Sequence, residues 1–282
     1  MRKVTKPNMP STAVFSDCVA VIRDKNLRTN LTACTALVTE AELEFESKIT
    51  HGQIYTIVRE TLVNGNVPAS DFVDLYTGRM VGNPAGRIHY DALLLAAPQG
   101  LCPFCAHRDV STLDHYLPKT QYPRLSVVPI NLVPACNDCN KGKSISYPTT
   151  SQQETLHPYY DDIEQDLWLT MTVNQTNPVS VVFSVNRPAN WDDLLFERVQ
   201  EHFTSFSLQK LYSTQAAREL SGIKLNLINV YDSGAGTNGV KRLLVDSATS
   251  RAAHNPNSWQ SALYLGLSDD PWFCAGGFRS IG

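Results

Sequence analysis

The sequence predicts an α+β fold that is mainly helical. Apolar residues recur at helical spacing on both sides of a cysteine-rich segment, residues 101–143. Further along, residues 167–173 and 179–185 alternate apolar and polar side chains around a polar turn, which is typical of a β-hairpin. We therefore expect three regions: a helical N-terminal region over residues 1–100, a core over residues 101–160, and a hairpin with a helical C-terminal region over residues 161–282.

One helix of the N-terminal region has a predicted start. Residues 39–42, Thr-Glu-Ala-Glu, match a capping box, and Val38 and Leu43 would pack as its hydrophobic staple. Three residues then repeat at helical spacing and should face the core: Ala41, Phe45 and Ile49.

Two Cys-x-x-Cys pairs enclose most of the central segment. They are Cys102, Cys105, Cys136 and Cys139. This spacing lets both sulfurs of a pair reach one tetrahedral zinc ion at about 2.3 Å, and four thiolates leave no open position for a substrate. We therefore expect a structural zinc site. The 30 residues between the pairs exceed the roughly 15 to 20 of ordinary zinc ribbons, which indicates a functional insertion.

The insertion contains Asp114-His115, followed by Asn131-Leu132, and Asn140 comes directly after the last cysteine. In this order the segment resembles the HNH endonucleases, also called His-Me finger or ββα-metal nucleases. Their motif has a Cys-x-x-Cys knuckle, an Asp-His, an Asn-Leu, and a second Cys-x-x-Cys followed by His or Asn and then Lys. Residue 140 is Asn where His is more frequent, and either side chain offers a neutral ligand atom to a hard cation.

The chemistry of phosphodiester hydrolysis explains these residue types. His115 would be the general base, because an imidazole titrates near neutrality. Asp114 and Asn140 would bind a catalytic Mg²⁺ or Mn²⁺, since magnesium prefers oxygen ligands. The resemblance implies that Asn131 supports the loop of His115. Four basic residues are possible phosphate contacts: Lys119, Arg124, Lys141 and Lys143.

The motif also restricts its own local structure. Neighbouring residues of a strand point to opposite faces, so Asp114 and His115 can serve one phosphate only from a strand end. Pro118 agrees with that, because proline is confined to strand margins. We expect a strand over about residues 108–114, a long loop, a short return strand near Leu132, and a helix from about Asp138, which together form a ββα unit.

The charge distribution bears on binding partners. The formal net charge is −3, although residues 101–143 carry five basic and three acidic side chains. The acidic surplus falls in residues 144–189, where Arg187 is the one basic residue against five acidic ones. Because a weakly charged nuclease would bind nucleic acid poorly unaided, we expect a partner protein.

Several weaker predictions complete the chain. Helices should follow Asn190 and run from about Ser207 past Leu220, and residues 232–239 should form a loop without chemistry. His157 is expected to pack rather than act. Three remaining cysteines should be buried free thiols: Cys18, Cys34 and Cys274. No apolar run approaches the roughly 20 residues of a membrane span, and no signal peptide is evident, so we expect a cytoplasmic protein.

Two function classes remain open. The first is an HNH endonuclease, acting on DNA by preference. The chain is similar to HNH subunits of bacterial anti-phage defence operons of the Septu type, which implies an ATPase partner. The second is a catalytically silent zinc-knuckle module that binds nucleic acid or protein.

Overall fold

The computed structural model describes residues 1–282, and they form two compact units, Met1–Asp162 and Ile163–Gly282. The chain is mostly helical, and each of its three sheets has two antiparallel strands. No helix has the length and apolar character needed to cross a membrane.

The first unit contains six α-helices and four strands. The helices are α1 (Ser11–Ala20), α2 (Lys25–Thr32), α3 (Thr35–Thr50), α4 (Ala69–Asp74), α5 (Pro84–Leu95) and α6 (Asn137–Lys143). The strands are β1 (Leu62–Val63), β2 (Val67–Pro68), β3 (Thr112–His115) and β4 (Leu132–Ala135). A π-helical turn, Leu75–Val81, continues α4 towards α5.

Local signals explain several helix starts in this unit. Asp24 caps α2, because its carboxylate accepts hydrogen bonds from the backbone N–H groups of Asn26 and Leu27. Asn83 caps α5 in the same way, and Pro84 takes the first helical position, where the missing N–H costs no hydrogen bond.

The predicted capping box is wrong. Helix α3 begins at Thr35, so Thr39 lies inside it and its hydroxyl donates to the carbonyl of Thr35. Leu43 is 62% exposed and cannot staple the buried Val38. The apolar face begins at Val38 and continues through the predicted core positions, which are confirmed as buried: Ala41, Phe45 and Ile49. Because this apolar face starts before Thr39, the helix begins four residues earlier than the capping box predicts.

The predicted ββα elements are present, with one shifted boundary. β3 is shorter at its start than the predicted strand, because residues 108–110 bond to the first cysteine knuckle instead of to β4. Cys102 donates its N–H to the carbonyl of Arg108, and Val110 donates to the carbonyl of Gly100. β4 and α6 lie where the sequence predicts a return strand and a helix.

The second unit contains a hairpin and five α-helices. The strands are β5 (Leu169–Asn174) and β6 (Ser180–Val185), and the helices are α7 (Asp193–Ser205), α8 (Leu208–Val230), α9 (Gly236–Ala252), α10 (Trp259–Asp269) and α11 (Pro271–Cys274). The predicted hairpin and the two helices after Asn190 and Ser207 are confirmed. Strand β6 packs on α8 and β5 on α10, so the hairpin lines the helical core.

The predicted loop over residues 232–239 is wrong. A π-helical turn, Tyr231–Ala235, follows α8 directly, and α9 already begins at Gly236. Two glycines allow the chain to bend here: Gly234 has a φ of +94° and Gly236 a φ of +56°, values that residues with a side chain rarely adopt. The segment therefore reverses the chain between two helices without an open loop.

Candidate metal centre and active site

Strands β3 and β4 form the floor of the candidate site. They pair antiparallel, with Asp114 opposite Val133 and His115 opposite Leu132. His115 is the last residue of β3, so the chain turns immediately after the Asp-His pair. Helix α6 packs against β3, which brings the segment after the last cysteine towards the same pair.

The four cysteines of the two Cys-x-x-Cys pairs lie together. Their sulfurs are within 4.8 Å of one another, and all four residues are buried. Tetrahedral ligands at about 2.3 Å from an ion stand about 3.8 Å apart, so the set could hold a zinc ion with little movement. Backbone N–H groups already point at two sulfurs: Arg108 donates to Cys105 and Cys139 to Cys136, at 3.5 and 3.4 Å. Such bonds favour the thiolate form that binds metal.

The imidazole of His115 is held in one orientation. Its Nε2 lies 2.9 Å from the carbonyl oxygen of Ser126, and because a carbonyl only accepts, Nε2 must carry the proton. The ring of Tyr76 meets the imidazole edge to face, with centroids 4.4 Å apart. Nδ1 is therefore the ring nitrogen with a free lone pair, and it has no hydrogen-bond partner.

The environment also keeps this imidazole neutral. His115 is 7% exposed, and burial, together with the positive charge of Lys119, lowers its pKa to about 3. The imidazole is therefore neutral at physiological pH, but a pKa this low makes it a weaker base than the titration near neutrality that the sequence predicts. Because the ring is buried, a substrate would have to approach along the Nδ1 side.

Asp114 is a buried carboxylate with an incomplete set of partners. It is 2% exposed, and its Oδ2 lies 3.1 Å from Nζ of Lys143 but accepts no well-aligned hydrogen bond. Lys143 also donates to the carbonyl oxygen of His115 at 2.7 Å. Burial raises the pKa of Asp114, and the charges of Lys143 and Lys119 oppose that shift. The carboxylate is therefore held mainly by its ion pair with Lys143.

Asn131 ties together the chain on both sides of the His115 ring. Its Oδ1 accepts the N–H of Leu117 at 2.7 Å, and its Nδ2 donates to the carbonyls of Leu117 and Leu125 at 3.0 and 3.1 Å. Leu117 lies two residues after His115, and Leu125 directly precedes Ser126. One fully buried side chain thus fixes both the imidazole and the carbonyl that orients it.

The remaining predicted site residues differ in their surroundings. Asn140 is half-buried on α6, and its side chain has no hydrogen-bond partner. The ammonium of Lys119 lies 5.0 Å from the ring centroid of Tyr76, beside the imidazole. Arg124 is instead paired with Glu60 at 2.6 Å. Lys141 is exposed on α6.

Two residues at the site had no signal in the sequence. Tyr76 contacts His115 from a π-helical turn almost 40 residues earlier in the chain, and Ser126 acts through its backbone carbonyl, which any residue type could supply. His157 is packed, as expected: its ring is fully buried, contacts Tyr116 with centroids 4.4 Å apart, and lies 3.1 Å from the carbonyl oxygen of Ile130 through Nε2.

The three cysteines outside the cluster are buried free thiols, as predicted: Cys18, Cys34 and Cys274.

Comparison with known proteins gives one relative of similar length. The chain is 27% identical to Protein ea31 of Escherichia phage lambda, over 98% of this chain and 100% of that protein. No protein-family profile matches the chain, and no solved structure matches it.

Proposed function

We propose that the chain is a metal-dependent HNH endonuclease that hydrolyses phosphodiester bonds, preferably of DNA, and that a zinc ion bound by the four cysteines stabilises its core. The observation that carries the proposal is the pairing of His115 and Asp114 at one strand end. There the imidazole is fixed through Nε2 and offers Nδ1, and the preceding residue contributes a buried carboxylate that is paired with Lys143.

Two oxygen-bearing side chains are the proposed ligands of a divalent cation. Asp114 is buried, and its Oδ2 lies 3.1 Å from the Lys143 ammonium without an aligned hydrogen bond. Asn140 lies on a helix that packs against the strand of Asp114. These two residues would hold the ion. A bound Mg²⁺ or Mn²⁺ would supply positive charge that stabilises the phosphate and the departing oxygen. Lys143 shares Asp114 and would remain a neighbouring cation.

The chain's own groups have separate tasks in this scheme. Nδ1 of His115 takes the proton of the attacking water; burial keeps the imidazole neutral for this step but also weakens it as a base. The carbonyl of Ser126 holds the ring in the tautomer with a free Nδ1. Asn131 holds the segment of Ser126 close to the end of β3, because its amide bonds the backbone of both Leu125 and Leu117. Lys119, beside the imidazole, is placed to contact a phosphate oxygen.

The test is cleavage by the zinc-loaded full chain. Plasmid DNA and a structured RNA are incubated with Mg²⁺, Mn²⁺ or EDTA, with wild type, His115→Ala and, as a matched control, His51→Ala. His51 is exposed at the end of α3, outside the site. We expect metal-dependent cutting that falls about 10²- to 10⁴-fold in His115→Ala and is unchanged in His51→Ala. Equal cutting by wild type and His115→Ala would refute the assignment of the base.

A second candidate function is a non-catalytic zinc-knuckle module that binds nucleic acid or protein. The observation in its favour is the closure of the site: His115 is buried beneath Tyr76, and Lys143 occupies the carboxylate. The same assay separates the two. Intact zinc and fold without any cutting, with or without a partner, would favour the binding module.

A partner protein belongs to the proposal as well. With a net charge of −3, the chain has little bulk attraction for nucleic acid, so we propose that a second protein, an ATPase of an anti-phage defence operon, supplies affinity or targeting. Nanomolar binding of nucleic acid by the isolated chain in physiological salt would contradict this part.

A further inference from the structure

An open groove lies in the first unit, which also contains the candidate site. Its volume is about 800 Å³, and its walls are residues 55–61 on one side and Thr120, Gln121 and Tyr147 on the other. Thr120 directly follows Lys119, whose ammonium lies beside the ring that covers His115. One wall residue of the groove is thus the direct chain neighbour of a predicted phosphate contact.

The groove contains a cation without a carboxylate partner. Arg59 is exposed and makes no ion pair, and it donates a hydrogen bond to the hydroxyl of Tyr147. Its guanidinium also lies over the Tyr147 ring, 4.8 Å from the centroid. The acidic residue of the wall, Glu60, is already paired with Arg124 at 2.6 Å. The groove thus presents a fixed, uncompensated positive charge, as an anion-binding surface requires.

Aromatic and apolar surface lies around this cation. Tyr55 is 36% exposed and Val58 is 71% exposed at the edge of the groove. The ring of Tyr147 also packs edge to face on the ring of Tyr122, with centroids 6.3 Å apart, and this contact restricts its position. Tyrosine rings and a guanidinium plane are the surfaces on which unpaired bases stack, whereas the bases of a duplex are already stacked on each other.

We propose that this groove binds an unpaired DNA strand next to the phosphate that is cut, with Arg59 contacting the backbone and Tyr147 and Tyr55 stacking on bases. This inference rests on the proposed nuclease function for its substrate class. Binding is measured separately from cleavage, so the two can fail independently.

The experiment is fluorescence anisotropy with the zinc-loaded, cleavage-deficient His115→Ala chain. The probes are a labelled single-stranded DNA of about 15 nucleotides and its duplex, each over a series of salt concentrations. Arg59→Ala, with Arg23→Ala as the matched exposed control, tests the charge. Tyr147→Leu, with Tyr147→Phe as the conservative variant, tests the ring. Circular dichroism and zinc content show whether each variant is folded.

We expect the single strand to bind more tightly than the duplex. Tyr147→Leu should weaken single-strand binding about tenfold, and Tyr147→Phe should retain most of it. Arg59→Ala should weaken binding and lower the slope of log K against log salt by about 0.7, while Arg23→Ala changes neither. Equal affinity for single strand and duplex, or folded Arg59→Ala and Tyr147→Leu chains that bind like the control, would overturn the inference.

The outcomes also separate this inference from the function on which it rests. If cutting depends on His115 but the groove variants bind like wild type, the proposed nuclease function stands and the proposed binding groove is refuted. If single-strand binding depends on Arg59 and Tyr147 but the wild-type chain never cuts, the proposed binding groove stands and the proposed nuclease function is refuted.

Discussion

Removing the side chain of Asn131 should destabilise the first unit more than any loss of packing volume would suggest. The amide makes three hydrogen bonds to the backbone of Leu117 and Leu125, at 2.7 to 3.1 Å, and is fully buried. Asn131→Ala leaves the N–H and the carbonyl of Leu117 without a partner in a region that water does not reach, whereas the carbonyl of Leu125 still accepts the N–H of Val128. Each unsatisfied group costs about 1–3 kcal/mol, so the sum is about 2–6 kcal/mol. That is comparable with the whole stability of many domains.

Asn131→Asp isolates the donor half of this interaction. Aspartate keeps an acceptor for the N–H of Leu117 but presents a carboxylate to the two carbonyl oxygens that the amide bonds now. We therefore expect Asn131→Asp to be at least as destabilising as Asn131→Ala, despite its nearly equal volume. Asn30→Ala, at an exposed position of α2, should change the unfolding free energy by about 0.5 kcal/mol or less.

The assay must report on the first unit. All four tryptophans lie beyond residue 162, so their fluorescence follows the second unit. Urea unfolding is therefore followed by far-UV circular dichroism, and hydrogen–deuterium exchange is measured on peptides that cover residues 116–126. Faster exchange in these peptides, with a shift of the urea midpoint that matches the estimated loss of unfolding free energy, would support this estimate. A loss below about 1 kcal/mol in Asn131→Ala would refute it, because the backbone groups would then have found other partners.

Three further variants test other contacts. Cys102→Ser should abolish zinc retention, measured by elemental analysis, whereas Cys18→Ser outside the cluster should retain it. Gly86→Ala should cost about 1–3 kcal/mol in thermal unfolding, because a Cβ would lie 2.5 Å from a backbone oxygen of the π-helical turn, whereas Gly222→Ala meets nothing within 4 Å and should be neutral or stabilising. Lys143→Met should cost about 3–5 kcal/mol in urea unfolding, because it leaves a buried carboxylate without its ion-pair partner; an unchanged midpoint would contradict this.

The sequence predicted the local parts of the site because their causes are local. Two residues between cysteines determine whether both sulfurs reach one ion, and the four sulfurs lie together as that spacing indicates. The alternation rule required Asp114 and His115 to lie at a strand end, and His115 ends β3. The helix that contains the last cysteine starts at Asn137, within one residue of the prediction.

Contacts between segments that are distant in the chain have no recognisable pattern in the sequence, so they were not predicted. Tyr76 reaches His115 from a π-helical turn whose sequence resembles any amphipathic helix. Arg124, a possible phosphate contact from the sequence, is paired with Glu60, 64 residues earlier in the chain. Lys143 lies in a basic stretch typical of solvated side chains, yet its ammonium is buried against Asp114. Charge and residue type alone do not determine the partner of a long, flexible side chain.

The supports of the site converge on one short stretch of chain, and this decides which variants can report on chemistry. Lys143 bonds the carbonyl of His115, and Asn131 bonds both backbone groups of Leu117. Asp114 is itself half of a buried ion pair. Changing any of these three side chains should therefore lower the stability together with any cutting of the proposed substrate. The imidazole of His115 makes a single hydrogen bond, to the carbonyl of Ser126, so removing it costs the fold about 1–3 kcal/mol at most for that carbonyl. A loss of cutting of about 10²-fold or more in a folded His115→Ala chain, which corresponds to at least about 2.7 kcal/mol in the barrier, would then belong to the chemical step.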